Sequence, residues 1–222
     1  RITAPVTRAA APAPASPAKE APFQASIDIG STRCPDPREN PNARNTPVKV
    51  IVDQQNQKVE IISPDLPKPL ESAVSTGGGL KIPNGQIRKA PYCAQTDSYT
   101  RRIISAVKPE MFQGTGCTPD EIRAKSTVFP MYHTRTFTDS KGNPIPMPNA
   151  TRIKDGIFFH EVPPSYAKLL GQDVSGGCVR LKPSVAKFLR EQTEKYGAIE
   201  VTIGKARTVS RDMPQYCDAN TL

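Results

Sequence analysis

Tryptophan is absent from the chain, aromatic residues make up only 6% of it, and histidine occurs twice, at His133 and His160. Without Trp, and without a run in which aromatic and basic residues interleave, the stacking surfaces of nucleic-acid binders are missing, so nucleic acid is not expected as a partner. No Cys/His spacing of the zinc-binding kind occurs, and neither a metal nor another cofactor is expected. No apolar run approaches the ~20 residues a helix needs to cross a bilayer. No internal repeat divides the chain. The scarcity of histidine also narrows the choice of a catalytic base to two positions.

Thirty Lys and Arg against 21 Asp and Glu give a formal charge of +9, with the basic residues scattered along the chain. This describes a solvated basic surface suited to an acidic polymer. Five cysteines are present, at Cys34, Cys93, Cys117, Cys178 and Cys217. Two disulfides would leave one thiol over, and the expected leftover is Cys178. The other four allow three connectivities. The favoured one joins Cys93 to Cys117 as a local staple and Cys34 to Cys217 across the two ends, each bond contributing about 2–4 kcal/mol. Five reduced, buried cysteines would sit poorly with the polar, Pro-containing surroundings of Cys34 and Cys217. Paired cysteines imply an oxidising compartment outside the cytoplasm. The chain begins at Arg1 rather than Met, as expected where a leader has been removed.

Thirteen of the nineteen residues from Ala4 to Pro22 are Ala or Pro, too few large apolar side chains to offset the entropy of ordering. Residues 1–33 are therefore expected to be a disordered Ala/Pro-rich linker, and residues 34–47 to wrap the surface, held by Cys34. From Val48 the pattern changes. Val48–Val52 and Lys58–Ile62 flank a polar turn and predict a hairpin, and further strands are expected at Leu70–Thr76, Tyr99–Val107, Thr127–Thr138 and Gly156–His160. Pro164–Leu170 predicts a short helical piece. Pro183–Tyr196, with Pro in its first turn and Gly197 just past its end, predicts a full helix, and Ala198–Ile203 a closing strand. The fold class expected is mainly β with a few helices, a sandwich or barrel spanning 48–204. Residues 205–222 would be a tail tied down by a disulfide.

Ser175-Gly176-Gly177-Cys178-Val179-Arg180 places a cysteine after a Gly-Gly turn, and His160 ends an apolar strand eighteen residues upstream. A nucleophilic thiol needs a neighbour that lowers its pKa or takes its proton, and His160 is the candidate base. His133, within an ordinary strand, is expected to be a surface or core histidine. No Asp or Asn is placed to orient His160, so the backbone carbonyl of Glu161 is the candidate orienter. Gly176 and Gly177 permit a sharp turn that brings backbone N–H groups near a reacting carbonyl, an oxyanion hole with Gly177 as a donor. Arg180, two residues on from Cys178 in an extended chain, would share its side and could hold a carboxylate, with Ser175 and Gly176 also near substrate. A cysteine after a Gly-Gly turn is also a common structural feature, and on that reading Cys178 is one more disulfide partner in a non-catalytic binding or structural protein.

His160, fourteen intervening residues and then Ser175-x-Gly177-Cys178-Val179-Arg180-Leu181 resembles the signature of the L,D-transpeptidase catalytic domain family (YkuD-like), bacterial cell-wall enzymes. Val74-Ser75-Thr76-Gly77, Pro83-x-Gly85 and Leu169-Leu170-Gly171 resemble further segments of the family, and Met147-Pro148-x-Ala150 leading to Gly156–His160 resembles its strand pair before the histidine, over roughly Val48 to Gly204. Three departures stand out. Gly176 replaces the second histidine of Ser-His-Gly-Cys, Glu161 stands where Gly or Ser is usual, and 89–125 reads as an insertion, a possible lid carrying Cys93 and Cys117.

The resemblance implies a β-sandwich-like domain with a cleft beside Cys178. It implies acyl transfer from a peptidoglycan tetrapeptide stem, with release of D-alanine and formation of 3-3 cross-links. Stem peptides would be the partners, carbapenem-type compounds the inhibitors, a monomer the favoured state, and the periplasm or another extracytoplasmic part of the cell envelope the location. The same acyl-enzyme resolved by water, a free D-amino acid or a protein lysine would make an L,D-carboxypeptidase, an exchange enzyme or a wall-anchoring enzyme.

Overall fold

The computed structural model describes residues 34, 45–77, 99–138 and 142–204, with the side chains at 99–100 and 135–138 outside that description. The first sheet contains β1 (Lys49–Asp53), β2 (Lys58–Ile62), β3 (Leu70–Ala73), β4 (Tyr99–Ser105) and β9 (Ala198–Ile203), in the order β3-β2-β1-β9-β4. The second contains β5 (Val128–Thr138), β6 (Pro144–Lys154), β7 (Ile157–Glu161) and β8 (Val179–Leu181), in that order. Two pairings are parallel, β1 with β9 and β7 with β8. Helix α1 spans Pro119–Lys125 and α2 Pro183–Tyr196, and 3-10 turns occupy Pro109–Phe112 and Pro164–Leu169.

Period-two alternation builds the first sheet. Val50 and Val52 on β1 and Val59 and Ile61 on β2 are buried, while Ile51 between the two valines is exposed. The hairpin between them turns on Asp53, whose carboxylate accepts the amides of Gln55 at 2.9 Å and Asn56 at 3.0 Å. Both sheets and α2 share one core, to which β6 adds Ile153, β7 Phe159, β8 Val179 and Leu181, and α2 Val185 and Leu189. Each such fully buried side chain contributes about 1.5–3 kcal/mol. Helix α2 starts at Pro183 and stops at Gly197, whose φ of 73° is the left-handed conformation of a glycine cap.

The disulfide pairing and one helix differ from the sequence expectations. Cys34 is bonded to Cys117, so Cys117 does not pair with Cys93 nor Cys34 with Cys217. Cys93 and Cys217, the linker at 1–33, the Pro83-x-Gly85 segment and the tail at 205–222 lie outside the described residues. Cys34 is buried, and Lys125 Nζ donates to its carbonyl at 2.7 Å, so this end is fastened against α1. Proximity along the chain favours a local staple, but docking of the two segments decides the partner.

The stretch read as an insertion, 89–125, contains the expected strand where it is described: residues 99–105 are β4, paired antiparallel with β9. Within it lies α1, which was not expected, capped by Thr118 and Glu121 in a reciprocal box. Strand β6 carries the strand implied at Met147–Ala150 back to Pro144, and Pro144, Pro146 and Pro148 pair with β5. Proline's fixed φ fits extended backbone, so each can sit in the ladder although it has no amide to donate.

Candidate active site

Strands β7 and β8 run parallel with Phe159 beside Val179 and His160 beside Arg180. Cys178 immediately precedes β8 and so lies next to Phe158. By strand alternation Phe158, His160, Cys178 and Arg180 belong to one face. The parallel pairing thus brings together the thiol and imidazole that the sequence separates by eighteen residues.

The His160 ring is 5% exposed, and its Nδ1 lies 2.7 Å from the Glu161 carbonyl oxygen. A carbonyl only accepts, so Nδ1 carries the hydrogen and Nε2 holds the lone pair. Burial pushes the imidazole down to about 4, the Arg180 charge adds to this, and the bond to Glu161 partly opposes it. The Glu161 carboxylate accepts instead from Asn149 Nδ2, and Asn149 Oδ1 accepts from Arg190 Nε of α2 at 2.7 Å.

Cys178 is a free thiol, half-buried against the cluster of Phe129, Met147, Ala150 and Phe158. Its Sγ lies 3.6 Å from the Gly156 carbonyl. Burial raises its pKa, while a backbone hydrogen bond from Phe158 and the Arg180 charge pull the other way. At neutral pH the two groups therefore rest as thiol and neutral imidazole rather than as an ion pair.

The turn before the cysteine is braced from within. Ser175, 2% exposed, donates its hydroxyl to the Cys178 carbonyl and accepts the Gly177 amide at 3.1 Å. The Ser175 hydroxyl, expected near substrate, and the Gly177 amide, expected at an oxyanion, thus hydrogen-bond to each other inside the turn. Among the described residues no acceptor meets the Cys178 amide. Gly177 has φ of 124°, a conformation that L side chains rarely adopt. Gly176 is half-buried at the rim of the turn.

The segment Val74–Gly77 straps this turn to the first sheet. Ser75 and Arg180 exchange backbone hydrogen bonds at 3.0 and 2.8 Å, and the Ser175 amide donates to the Thr76 carbonyl at 3.1 Å. Thr76 is fixed in turn by buried Gln57, which donates to its hydroxyl at 2.7 Å and accepts its amide at 2.9 Å. The Arg180 guanidinium sits 4.7 Å from the centre of the Tyr166 ring, with Nη1 3.5 Å from the Val174 carbonyl. His133 is exposed on β5 and does not join the site. Gly156, Phe158, Gln57 and Tyr166 were not singled out for the site from sequence. Only Gly156 and Phe158, next to the His160 strand end, carried a positional signal. Among the described residues no three His, Cys, Asp or Glu side chains gather into a group that could hold a metal.

The family model for the L,D-transpeptidase catalytic domain matches residues 47–203. No curated protein matches the chain. A solved L,D-transpeptidase from Mycobacterium smegmatis is 16% identical, with 72% of this chain and 60% of that chain covered and a TM-score of 0.46. One from Stackebrandtia nassauensis is 17% identical, with 84% and 64% covered and a TM-score of 0.45. The catalytic domain of the E. faecium enzyme acylated by ertapenem is 18% identical, with 72% and 98% covered and a TM-score of 0.40. The chain spans 60% to 64% of the length of the first two.

Proposed function

Because the chain belongs to the L,D-transpeptidase catalytic domain family, we propose that it is a peptidoglycan L,D-transpeptidase acting through Cys178 and His160. The observation that carries this reading is the His160 Nδ1 bond to the Glu161 carbonyl. It leaves Nε2 as a free base on the strand beside the thiol.

In the proposed first step Sγ attacks the carbonyl between the L-centre of the diamino acid at stem position three and the D-alanine at position four. The thiol proton passes to His160 Nε2 as the S–C bond forms. The oxyanion takes the Cys178 amide, which has no other acceptor among the described residues, while the Gly177 amide keeps the turn closed. Collapse breaks the C–N bond, Nε2 returns the proton to the departing amine, and D-alanine leaves a thioester on Cys178. The amine of an acceptor stem then attacks, gives its proton to Nε2, and forms the 3-3 cross-link as the thiol regains its hydrogen. Arg180, steadied over Tyr166, holds a stem carboxylate near the reacting carbonyl.

A neutral thiol–imidazole pair suits this sequence, since a low imidazole pKa keeps Nε2 available to take a proton and ready to return it. The Cys34–Cys117 disulfide supports an extracytoplasmic envelope location. Carbapenems are expected to acylate Cys178. The test is conversion of tetrapeptide muropeptides, read by mass spectrometry. Cys178→Ala and His160→Ala should each abolish 3-3 dimers, and either variant that still makes them overturns the assignment.

A further inference from the structure

The carbonyl that accepts the His160 Nδ1–H belongs to Glu161, the last residue of β7, and the strand is held there differently on its two sides. On the β8 side Glu161 lies beside Leu181, and the amide of the same peptide unit, that of Val162, donates to the Leu181 carbonyl at 2.8 Å. On the β6 side the register of the two strands ends at Thr151 beside Phe159. Carried two residues further, it would set Glu161 beside Asn149. Asn149 has φ of 49°, a left-handed conformation that interrupts the extended ladder at that point and that Asn tolerates better than most side chains.

A side-chain bridge stands where the backbone rung is missing. Asn149 Nδ2 donates to the Glu161 carboxylate, and Asn149 Oδ1 accepts from Arg190 Nε at 2.7 Å. A carboxylate only accepts and a guanidinium only donates, so the two ends of the amide are not interchangeable. Arg190 is itself fixed: its side chain is 15% exposed, and Nη1 lies 2.7 Å from Glu194 Oε1, four residues on along α2. Glu194 in turn meets Lys108 Nζ at 3.4 Å. Strand alternation explains the direction of the bridge. Phe159 packs into the core with Val185 and Leu189 of α2, Glu161 shares its face, and His160 between them faces the other way, with the thiol. The Glu161 side chain is therefore tied toward the helix, while its carbonyl serves the imidazole.

Which neutral tautomer an imidazole adopts is set by the hydrogen bond of its other nitrogen. A Glu161 carbonyl free to turn away would let the hydrogen move to Nε2, and that form cannot take the thiol proton there. We propose that Asn149, bracketed by Arg190, is a positioning residue for the base: through the Glu161 side chain it holds the carbonyl that keeps the hydrogen on Nδ1 and the lone pair on Nε2. The effect on turnover rests on the transpeptidase reading. The effect on the tautomer does not.

The chain has two histidines, so a long-range nitrogen–proton NMR spectrum reads the tautomer of His160, with exposed His133 as internal reference. Native protein at pH 7 should show the Nδ1–H form alone. Asn149→Gly deletes the amide while accepting the left-handed backbone without strain, and Glu161→Ala deletes the carboxylate. Each should give a mixture of the two tautomers and lower kcat on tetrapeptide stems about 10-fold, with KM within about 2-fold of the native value. Glu161→Gln, whose side-chain oxygen still accepts from Asn149, should recover the single tautomer and most of the lost kcat. A bridge that merely braces the fold would lower the urea midpoint of the first two variants and leave the tautomer, and kcat per titrated thiol, as in native protein. That result overturns the proposal, and so does a Glu161→Gln protein indistinguishable from Glu161→Ala. A tautomer shift in the variants with no product from native protein sinks the transpeptidase reading but keeps the positioning role; 3-3 product from native protein with an unmoved tautomer in the variants does the reverse.

Discussion

Lowering the pH from 7.5 to 4.5 should destabilise this fold through His160 alone by a predictable amount. The imidazole sits at about 4 in the folded protein against an ordinary 6.5, chiefly because it is buried and secondarily because of Arg180. A base whose folded pKa lies below its unfolded one binds its proton less readily in the native state. Its contribution is therefore fully present above pH 6.5 and is lost as the pH falls toward 4. Each pH unit within that window is worth about 1.4 kcal/mol, so the drop to pH 4.5 removes about 2.5 kcal/mol. Other groups titrate over the same range, but they do so equally in a His160→Gln variant, and the difference between the two proteins isolates the imidazole. The carboxylate of Asp65, held down to about 2 by Lys195, Gln192 and Tyr196, loses its contribution only below pH 3.8, outside the window. Urea denaturation of both proteins at the two pH values, followed by circular dichroism, measures the double difference. Native protein should lose about 2.5 kcal/mol more than the variant. Equal losses would mean that the folded imidazole is solvated and titrates normally, and the neutral-base reasoning would fail with it. The same pKa predicts that about one imidazole in a thousand is protonated at pH 7, so Nε2 is open as a proton acceptor.

Cys178, pushed above the ordinary thiol range by burial, should be alkylated by iodoacetamide at a rate that climbs only in the alkaline range; a plateau between pH 5 and 8 would indicate a thiolate–imidazolium pair. Gly177→Ala forces an L side chain into φ of 124°, and should cost on the order of 1–3 kcal/mol in chemical denaturation and loosen the turn; an unchanged midpoint would contradict the required conformation. Cys117→Ser removes the bond to Cys34 and should lower stability by about 2–4 kcal/mol, and peptide mapping of unreduced protein should recover a linked Cys34–Cys117 fragment. Recovery of Cys117 linked to Cys93 instead would overturn the observed pairing.

Much of this architecture is legible where a local pattern carries it. Alternation in Val48–Val52 and Lys58–Ile62 foretells β1 and β2, and the bracket of Pro183 and Gly197 foretells α2 at its observed limits. Strand β6 has prolines at 144, 146 and 148 in place of an alternating pattern, so the resemblance at Met147–Ala150 points to it where residue pattern does not, and its extended form is imposed by pairing with β5, and with β7 at its far end. Helix α1 had a readable start in Thr118, Pro119 and Glu121, but its seven residues bury none of their side chains and show no apolar face. At the site, Cys178 and His160 are visible as a motif, and Glu161 as the residue whose carbonyl lies nearest. The inward aim of Ser175 and of the Gly177 amide is not visible, because it depends on turn dihedrals that residue types permit without specifying. The Cys34–Cys117 pairing belongs to the same class, since sequence separation says little about which segments dock.

The wiring of the cysteine turn limits what can move during catalysis. Its Ser175 end is held by the Thr76 carbonyl, its Arg180 end by both backbone groups of Ser75, and its interior by the Ser175 hydroxyl. Thr76 is held by Gln57, and Val74 accepts the Gly171 amide at 2.7 Å, so the strap is itself anchored on both sides. With the backbone fixed, the freedom left to the nucleophile is rotation about its own side chain. In the resting state Sγ lies 3.6 Å from the Gly156 carbonyl. Proton transfer to Nε2 requires the S–H to release the Gly156 carbonyl and redirect its hydrogen to the imidazole. The exchange is small because a 3.6 Å sulfur contact is weak. A substrate carbonyl arriving at the Cys178 amide would supply the bias, and the base is then reached without any change in the strands that hold it.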